Sequence, residues 1–175
     1  CPFRRLSKTR LAMDKSSFFR MRNLVLDQYR SILGKKYHKV YITRSDASHR
    51  RVINEDEVIK YLREHGFLIL TLSEIPVSEQ LRIIVNAGVF ISAVGAGSSM
   101  SMFAREDAMV IEISEKFLGG MYNGRVSGLM LNQTFNRIVS VKGTPRPTPE
   151  ELRNDYYCNL EELKDTIKSI ELLEM

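Results

Sequence analysis

The sequence predicts an α/β fold: a doubly wound, mostly parallel sheet with an N-terminal and a C-terminal helix packed on it. Three observations point there. Four runs, VYIT (40–43), FLILTL (67–72), VFIS (89–92) and MVIEI (109–113), are short and almost continuously apolar, as strands covered on both faces are. Stretches with apolar residues at helical spacing lie between them, the rhythm of strand–helix–strand crossovers. The loops after the first and third runs carry clustered cations and clustered glycines, at the carboxyl ends of strands where open α/β sheets bind ligands.

In order, residues 1–13 read as an arm. Phe18, Met21, Leu24, Val25, Tyr29 and Ile32 then recur at helical spacing from Asp14 to Leu33, before a stop near Gly34. A strand at Lys39–Thr43 leads into a polar loop with Arg44, Asp46, His49, Arg50 and Arg51. Asn54 is the expected N-cap of the next helix, with Glu57 as its capping-box partner. That helix runs from about Glu55 to Glu64 on Val58, Ile59 and Leu62 and stops at Gly66. The strand Phe67–Leu72 follows. Pro76 breaks the chain, and Ser78 is expected to cap a helix over Glu79–Ala87 whose inner face is Leu81, Ile84 and Val85. A third strand, Val89–Ser92, enters the small-residue loop Ala93–Ser99 and a short helix from Ser98 to Glu106. Met109–Ile113 is the fourth strand. Ser114–Thr134 is interrupted by Gly119, Gly120, Gly124 and Gly128 and has no clear period; Arg137–Val141 reads as a fifth strand. A Pro-rich linker (143–149) precedes a terminal helix from about Leu160, behind Asn159, with Leu163, Ile167, Ile170 and Leu173 inward. The division is a basic arm and helix (1–36) and a Rossmann-like body (37–175).

Composition narrows the function classes. The chain of 175 residues is 43% hydrophobic and 27% charged, ordinary for a globular domain. It contains no apolar run long enough to span a membrane. The basic start has no apolar stretch behind it and no initiator Met, so a piece of a longer protein is expected. The net charge of +5 is uneven: residues 1–39 hold eleven Lys/Arg against Asp14 and Asp27, and the remainder is mildly acidic. A basic arm suits nucleic acid, an anionic membrane surface or a solvated face against a further domain. The last is favoured. Nucleic acid is set aside because interleaved aromatics stop at Phe3, Phe18 and Phe19, while peripheral membrane association stays open. Cys1 and Cys158 have no metal-ligand spacing and fit reduced thiols in a cytoplasmic setting; Cys158 reads as packing rather than as a nucleophile. His38, His49 and His65 form no HExxH or clustered His/Cys set, so no metal site is expected. GxSxG is absent as well. His65, next to Gly66, reads as a surface or C-capping residue.

The chemistry-bearing residues therefore fall in the two loops. A cationic loop before a helix N-terminus collects positive potential for a phosphate. In the second loop, Gly95-Ala96-Gly97-Ser98-Ser99 is neither GxGxxG, because Met100 stands at the third glycine position, nor a Walker loop. Alone it reads equally as a tight strand-to-helix turn or a phosphate cradle; with Arg44 and Arg50 reaching the same sheet edge, ligand binding is the better reading. His49 is a ligand contact or a solvated loop residue, and Asp46, in the same loop, is a candidate sugar or ribose contact. Glu112 interrupts an apolar strand and needs a partner, either sugar or ribose hydroxyls or a loop arginine.

ITRSDASHRRVINEDEV, GF, SEQ, NAGVFISAVGAGSSMSMFA and VIEI together resemble the C-terminal half of the family-61 glycosyltransferases, some bacterial members of which are called capsular polysaccharide biosynthesis proteins. The resemblance covers about residues 39–113 and reaches the terminal helix more loosely. It implies a GT-B architecture of two Rossmann-like domains, with the nucleotide-sugar donor held mainly by the C-terminal one and an N-terminal domain lying outside this chain. The family's arginine after the first strand matches Arg44 and its second loop arginine Arg50. The Asn-Glu pair matches Asn54 and Glu55, and the GAG turn Gly95-Ala96-Gly97. The family's usual histidine before that turn and asparagine after it are here Val94 and Met100, which removes two polar groups. The implied reaction is an inverting, metal-independent transfer to a saccharide or other hydroxyl acceptor in cell-surface polysaccharide synthesis. Fixed cations would stabilise the departing diphosphate, and the general base is expected from the other domain. The alternative is a catalytically degenerate nucleotide- or protein-binding module.

Overall fold

The computed structural model describes residues 3–7, 10–33, 38–114, 131, 133–139 and 155–173. Two short strands, β1 (Phe3–Ser7) and β2 (Arg10–Met13), pair antiparallel, so the stretch expected as an arm is a hairpin. Helix α1 (Lys15–Gln28) follows, its N-cap Asp14 accepting from the Ser17 amide. The body is a five-stranded sheet of β3 (His38–Ile42), β4 (Phe67–Leu70), β5 (Ala87–Ala93), β6 (Met109–Ser114) and β7 (Thr134–Val139). Their spatial order is β4-β3-β5-β6-β7, and every neighbouring pair is parallel. Helix α2 (Glu55–Glu64) joins β3 to β4, α3 (Val77–Ile84) joins β4 to β5, and α4 (Leu160–Leu173) follows β7.

The alternation of side chains along each strand divides the core in two. Tyr41, Val89, Ile91, Ile111 and Ile113 face one side, where Val58 and Leu62 of α2 and Leu163, Ile167 and Ile170 of α4 cover them. Val40, Ile42, Phe90 and Val110 face the other, against Ile84 of α3 and Ala104. β3, β5 and β6, apolar on both faces, are interior strands; β4, equally apolar and expected to be interior, is an edge strand with Leu68 41% exposed. The chain runs outward from β3 to β4, then returns past β3 to β5. With right-handed crossovers this reversal sends α2 and α3 to opposite faces. It also opens a crevice between the carboxyl ends of β3 and β5, the topological switch point of such a sheet.

Local departures from expectation have physical causes. Leu24, expected inward, is 62% exposed, whereas Arg22 is 4% exposed. The Arg22 guanidinium donates to the Ala104 carbonyl at 2.9 Å and lies 3.8 Å from Glu106, so the helix turns a cation inward to satisfy a loop. Asn54 occupies the N-cap position of α2 but makes no cap hydrogen bond; its amide bonds elsewhere, as described below. At α3 the cap is Pro76, with no side-chain bond; Ser78 lies inside the helix. Gln80 is buried there because its amide donates to the Leu72 and Ile75 carbonyls. The second strand ends at Leu70, and Leu72–Glu74 is a 3-10 turn. The expected helix over 98–106 is a 3-10 segment, Ala96–Phe103. The fifth strand lies earlier than expected, at Thr134–Val139. Gly66 closes α2 at φ +78°, a conformation that favours glycine, with His65 as C-cap, its Nδ1 2.9 Å from the Tyr61 carbonyl. The glycines at 119–128 and the linker 143–149 lie outside the described residues. No helix among the described residues is long and apolar enough to cross a membrane.

Candidate functional site

The crevice is built from the two loops singled out in the sequence. At the end of β3 the backbone turns sharply: Ser45 N–H donates to Thr43 Oγ1 at 3.0 Å and Ala47 N–H to the Arg44 carbonyl at 2.9 Å. Glu55, the first residue of α2, reaches back into this turn. Its Oε1 accepts from Tyr41 Oη at 2.6 Å and from Arg44 N–H at 3.1 Å, and it is 8% exposed. Tyr41 is fully buried, and burial together with the adjacent carboxylate pushes its phenol well above the usual range. That hydroxyl therefore remains a proton donor at any working pH. A helix N-terminus also favours a negative side chain, so Glu55 is suited to anchor Arg44 from below.

From this anchor the Arg44 side chain crosses the switch point. Its Nη2 donates to the His49 carbonyl at 3.1 Å, holding the far limb of the same loop. Its guanidinium lies against Gly95, just past the end of β5: a Cβ on Gly95 would overlap Nη1 and stand 2.9 Å from Cζ. Gly95 has an extended backbone (φ 165°), which any residue could adopt. The missing side chain is what matters, since it leaves the space the arginine fills. Gly97 serves differently. A Cβ there would meet Ile42 Cγ2 at 3.1 Å and Leu72 Cδ1 at 3.3 Å, so this glycine seats the 3-10 segment on the sheet.

The other sequence-predicted residues divide by position. Arg50 shares the cationic loop and sits at φ 56°, a left-handed conformation rare for a non-glycine residue and typical of segments held in place by their surroundings. Asp46 is exposed on the turn. His49 is half-buried, with Nδ1 2.9 Å from Ser48 Oγ. Ala96 is exposed at the start of the 3-10 segment, and Gly97 and Ser99 are half-buried; the first N–H groups of such a segment have no partner within it. Ser98 is buried, its hydroxyl donating to the Gly95 carbonyl at 2.7 Å, which tightens the turn. Glu112 is fully buried on the α3 face of the sheet, level with Ser92 on β5 and Arg137 on β7. Val94 is fully buried in the α2/α4 core, and Met100 packs on the opposite one. Among the described residues no group of three or more His, Cys, Asp or Glu could hold a metal ion.

Sequence reasoning missed the segment that holds this loop from outside. Residues Asp155–Cys158 run alongside it, with Val52 and Tyr156 as a parallel bridge. Asp155 takes Arg51 through its backbone N–H at 2.8 Å, Nε at 3.0 Å and Nη2 at 2.8 Å. Hydrogen bonding to Arg51 holds the Asp155 carboxyl below its ordinary range. Any stability from that depressed value is present above the ordinary carboxylate range and is lost as pH falls through the depressed one. With side chains 54% and 27% exposed, the ion pair itself is worth about 0–1 kcal/mol. Asn54 and Cys158 exchange two bonds, the Cys158 N–H donating to Asn54 Oδ1 at 2.8 Å and Asn54 Nδ2 to the Cys158 carbonyl at 3.1 Å. Cys158 is 4% exposed, and burial pushes its thiol up to about 12, so it is a packing residue rather than a nucleophile. No local spacing signals these partners, 104 positions apart.

The crevice can thus offer one arginine fixed across the switch point, a second in a constrained loop, and backbone N–H groups at the start of a 3-10 segment. That set of donors suits an anion with several oxygens. Comparison with known proteins bears on its use. The family model described as Glycosyltransferase 61 matches residues 6–111, more than half of the chain and a span that includes both loops. No curated protein matches the chain.

Proposed function

The chain belongs to the glycosyltransferase 61 family, and on that premise we propose that the switch-point crevice binds the diphosphate of a nucleotide-sugar donor. Arg44 and Arg50 and the N–H groups of Ala96 and Gly97 are the proposed phosphate contacts, with His49 and Asp46 at the rim toward the sugar or ribose. The reaction is an inverting transfer. An acceptor hydroxyl attacks the anomeric carbon as the glycosidic C–O bond to the phosphate breaks on the opposite face, and the nucleoside diphosphate leaves with the electron pair. Charge accumulates on the diphosphate as that bond breaks, so cations fixed beforehand stabilise the transition state more than the ground state. An acceptor saccharide of a cell-surface polysaccharide and a second domain supplying the general base complete the proposal.

The observation that carries it is Arg44, anchored at its backbone by Glu55 and laid against Gly95. It joins the two loops that a diphosphate would have to touch together. Val94 and Met100 favour a second reading, a relative that binds nucleotide without transferring sugar, because both are apolar and packed into the core.

The test is a thermal-shift panel of uridine, guanosine, cytidine and thymidine diphosphates and their sugars. At least one is expected to raise the melting temperature, and Arg44→Ala is expected to remove the rise while leaving an unliganded transition. A charge-assisted hydrogen bond is worth about 1.5–3 kcal/mol, roughly tenfold or more in affinity. A panel without any shift, or an unchanged shift in Arg44→Ala, would overturn the reading. Binding without turnover on reunion with the other domain would select the second.

A further inference from the structure

We infer that Asp155 and Tyr156 are positioning residues of the donor site, setting the separation of its two loops; the inference rests on the proposed diphosphate reading. Both lie outside the stretch matched by the family model, which ends at residue 111.

Tyr156 touches both loops. Through its backbone it holds the cationic one: its N–H donates to the Arg51 carbonyl at 3.0 Å, and its carbonyl accepts from Ile53 N–H at 2.8 Å. Through its side chain it reaches the other. The ring is 2% exposed, and the hydroxyl donates to the Ile113 carbonyl at 3.0 Å. That same carbonyl accepts the N–H of Val94, the residue before Gly95, at 2.9 Å. One acceptor at the end of β6 therefore fixes both the phenol and the start of the glycine turn. Asp155 locks the arrangement by gripping Arg51 at backbone and guanidinium.

Packing alone does not require these contacts. A phenylalanine at 156 would fill the core as well, and a partly exposed ion pair adds little to folding. What the contacts do is fix where Arg50 and Arg51 leave the loop, next to an Arg50 backbone held at φ 56°. A loop preset in its binding conformation avoids the cost of being ordered by the ligand.

The experiment uses the full chain and whichever of uridine, guanosine, cytidine and thymidine diphosphate the wild type binds. Affinity by titration calorimetry and amide exchange across 44–54 are compared for wild type, Asp155→Asn, Asp155→Glu and Tyr156→Phe. If release of the strap leaves the loop competent about a tenth of the time, the apparent Kd rises about tenfold. That rise is expected in Asp155→Asn and Tyr156→Phe, together with a new ligand-induced protection of 44–54 absent from wild type. Asp155→Glu is expected to restore most of the affinity. Variants that melt earlier but keep wild-type affinity and exchange would overturn the positioning role and leave the donor site standing. If wild type binds none of the four, the donor-site reading falls first and this inference with it. Should Tyr156→Phe fail to fold, the two Asp155 variants decide alone.

Discussion

Gly95→Ala is expected to remove detectable donor binding from a chain that still folds. The new Cβ would overlap Arg44 Nη1 and approach Cζ to 2.9 Å, and only the arginine is free to yield. The guanidinium then leaves the switch point and gives up the His49 carbonyl. A methyl group forced into a filled site costs about 1–3 kcal/mol, while loss of a charge-assisted phosphate contact is worth about 1.5–3 kcal/mol, up to roughly 150-fold in affinity. Titration calorimetry and urea unfolding on the same variant separate the two. Gly66→Ala is the control, since a side chain at φ +78° strains the end of α2 without coming within 4 Å of Arg44. Equal binding loss in both variants would deny Gly95 its particular role.

The second large effect is expected at Glu55, and it falls on stability first. Replacing Glu55 by Ala strips the acceptor from a fully buried Tyr41 hydroxyl and from the Arg44 amide. A buried donor left without a partner costs about 1–3 kcal/mol, and the half-buried Arg44 amide loses its acceptor as well. Urea unfolding is expected to show the combined loss. Glu55→Gln retains an acceptor oxygen and should lie between Ala and wild type. Any donor affinity left in Glu55→Ala should be reduced as well, because the Arg44 backbone is no longer held. If Glu55→Ala were as stable as wild type, the anchor described for Arg44 would not exist.

Much of the sheet was legible because its strands are apolar on both faces, a pattern a loop or surface helix cannot carry. β3, β4, β5 and β6 lie within a few residues of their expected positions, and α2 spans its expected Glu55–Glu64. The pairing of Arg44 with the glycine turn was legible too, because strand ends in such a sheet converge. Errors arose where a side chain bonds to something distant in sequence. Asn54 reads as an N-cap, yet its amide is taken by the Cys158 backbone. Arg22 reads as solvent-facing, yet a loop carbonyl draws it inward. Asp155 and Tyr156 carry no motif; only the fold brings them to the loop.

The central claim is that two loops distant in sequence form one anion site. It is tested most directly by a crystal structure of the chain with the nucleoside diphosphate that shifts its melting temperature. The expected electron density places the β-phosphate between the Arg44 guanidinium and the amides of Ala96 and Gly97. Diphosphate density elsewhere, such as the cleft lined by Arg22 and Arg105 at the opposite end of the sheet, with the switch point left to solvent, would contradict it.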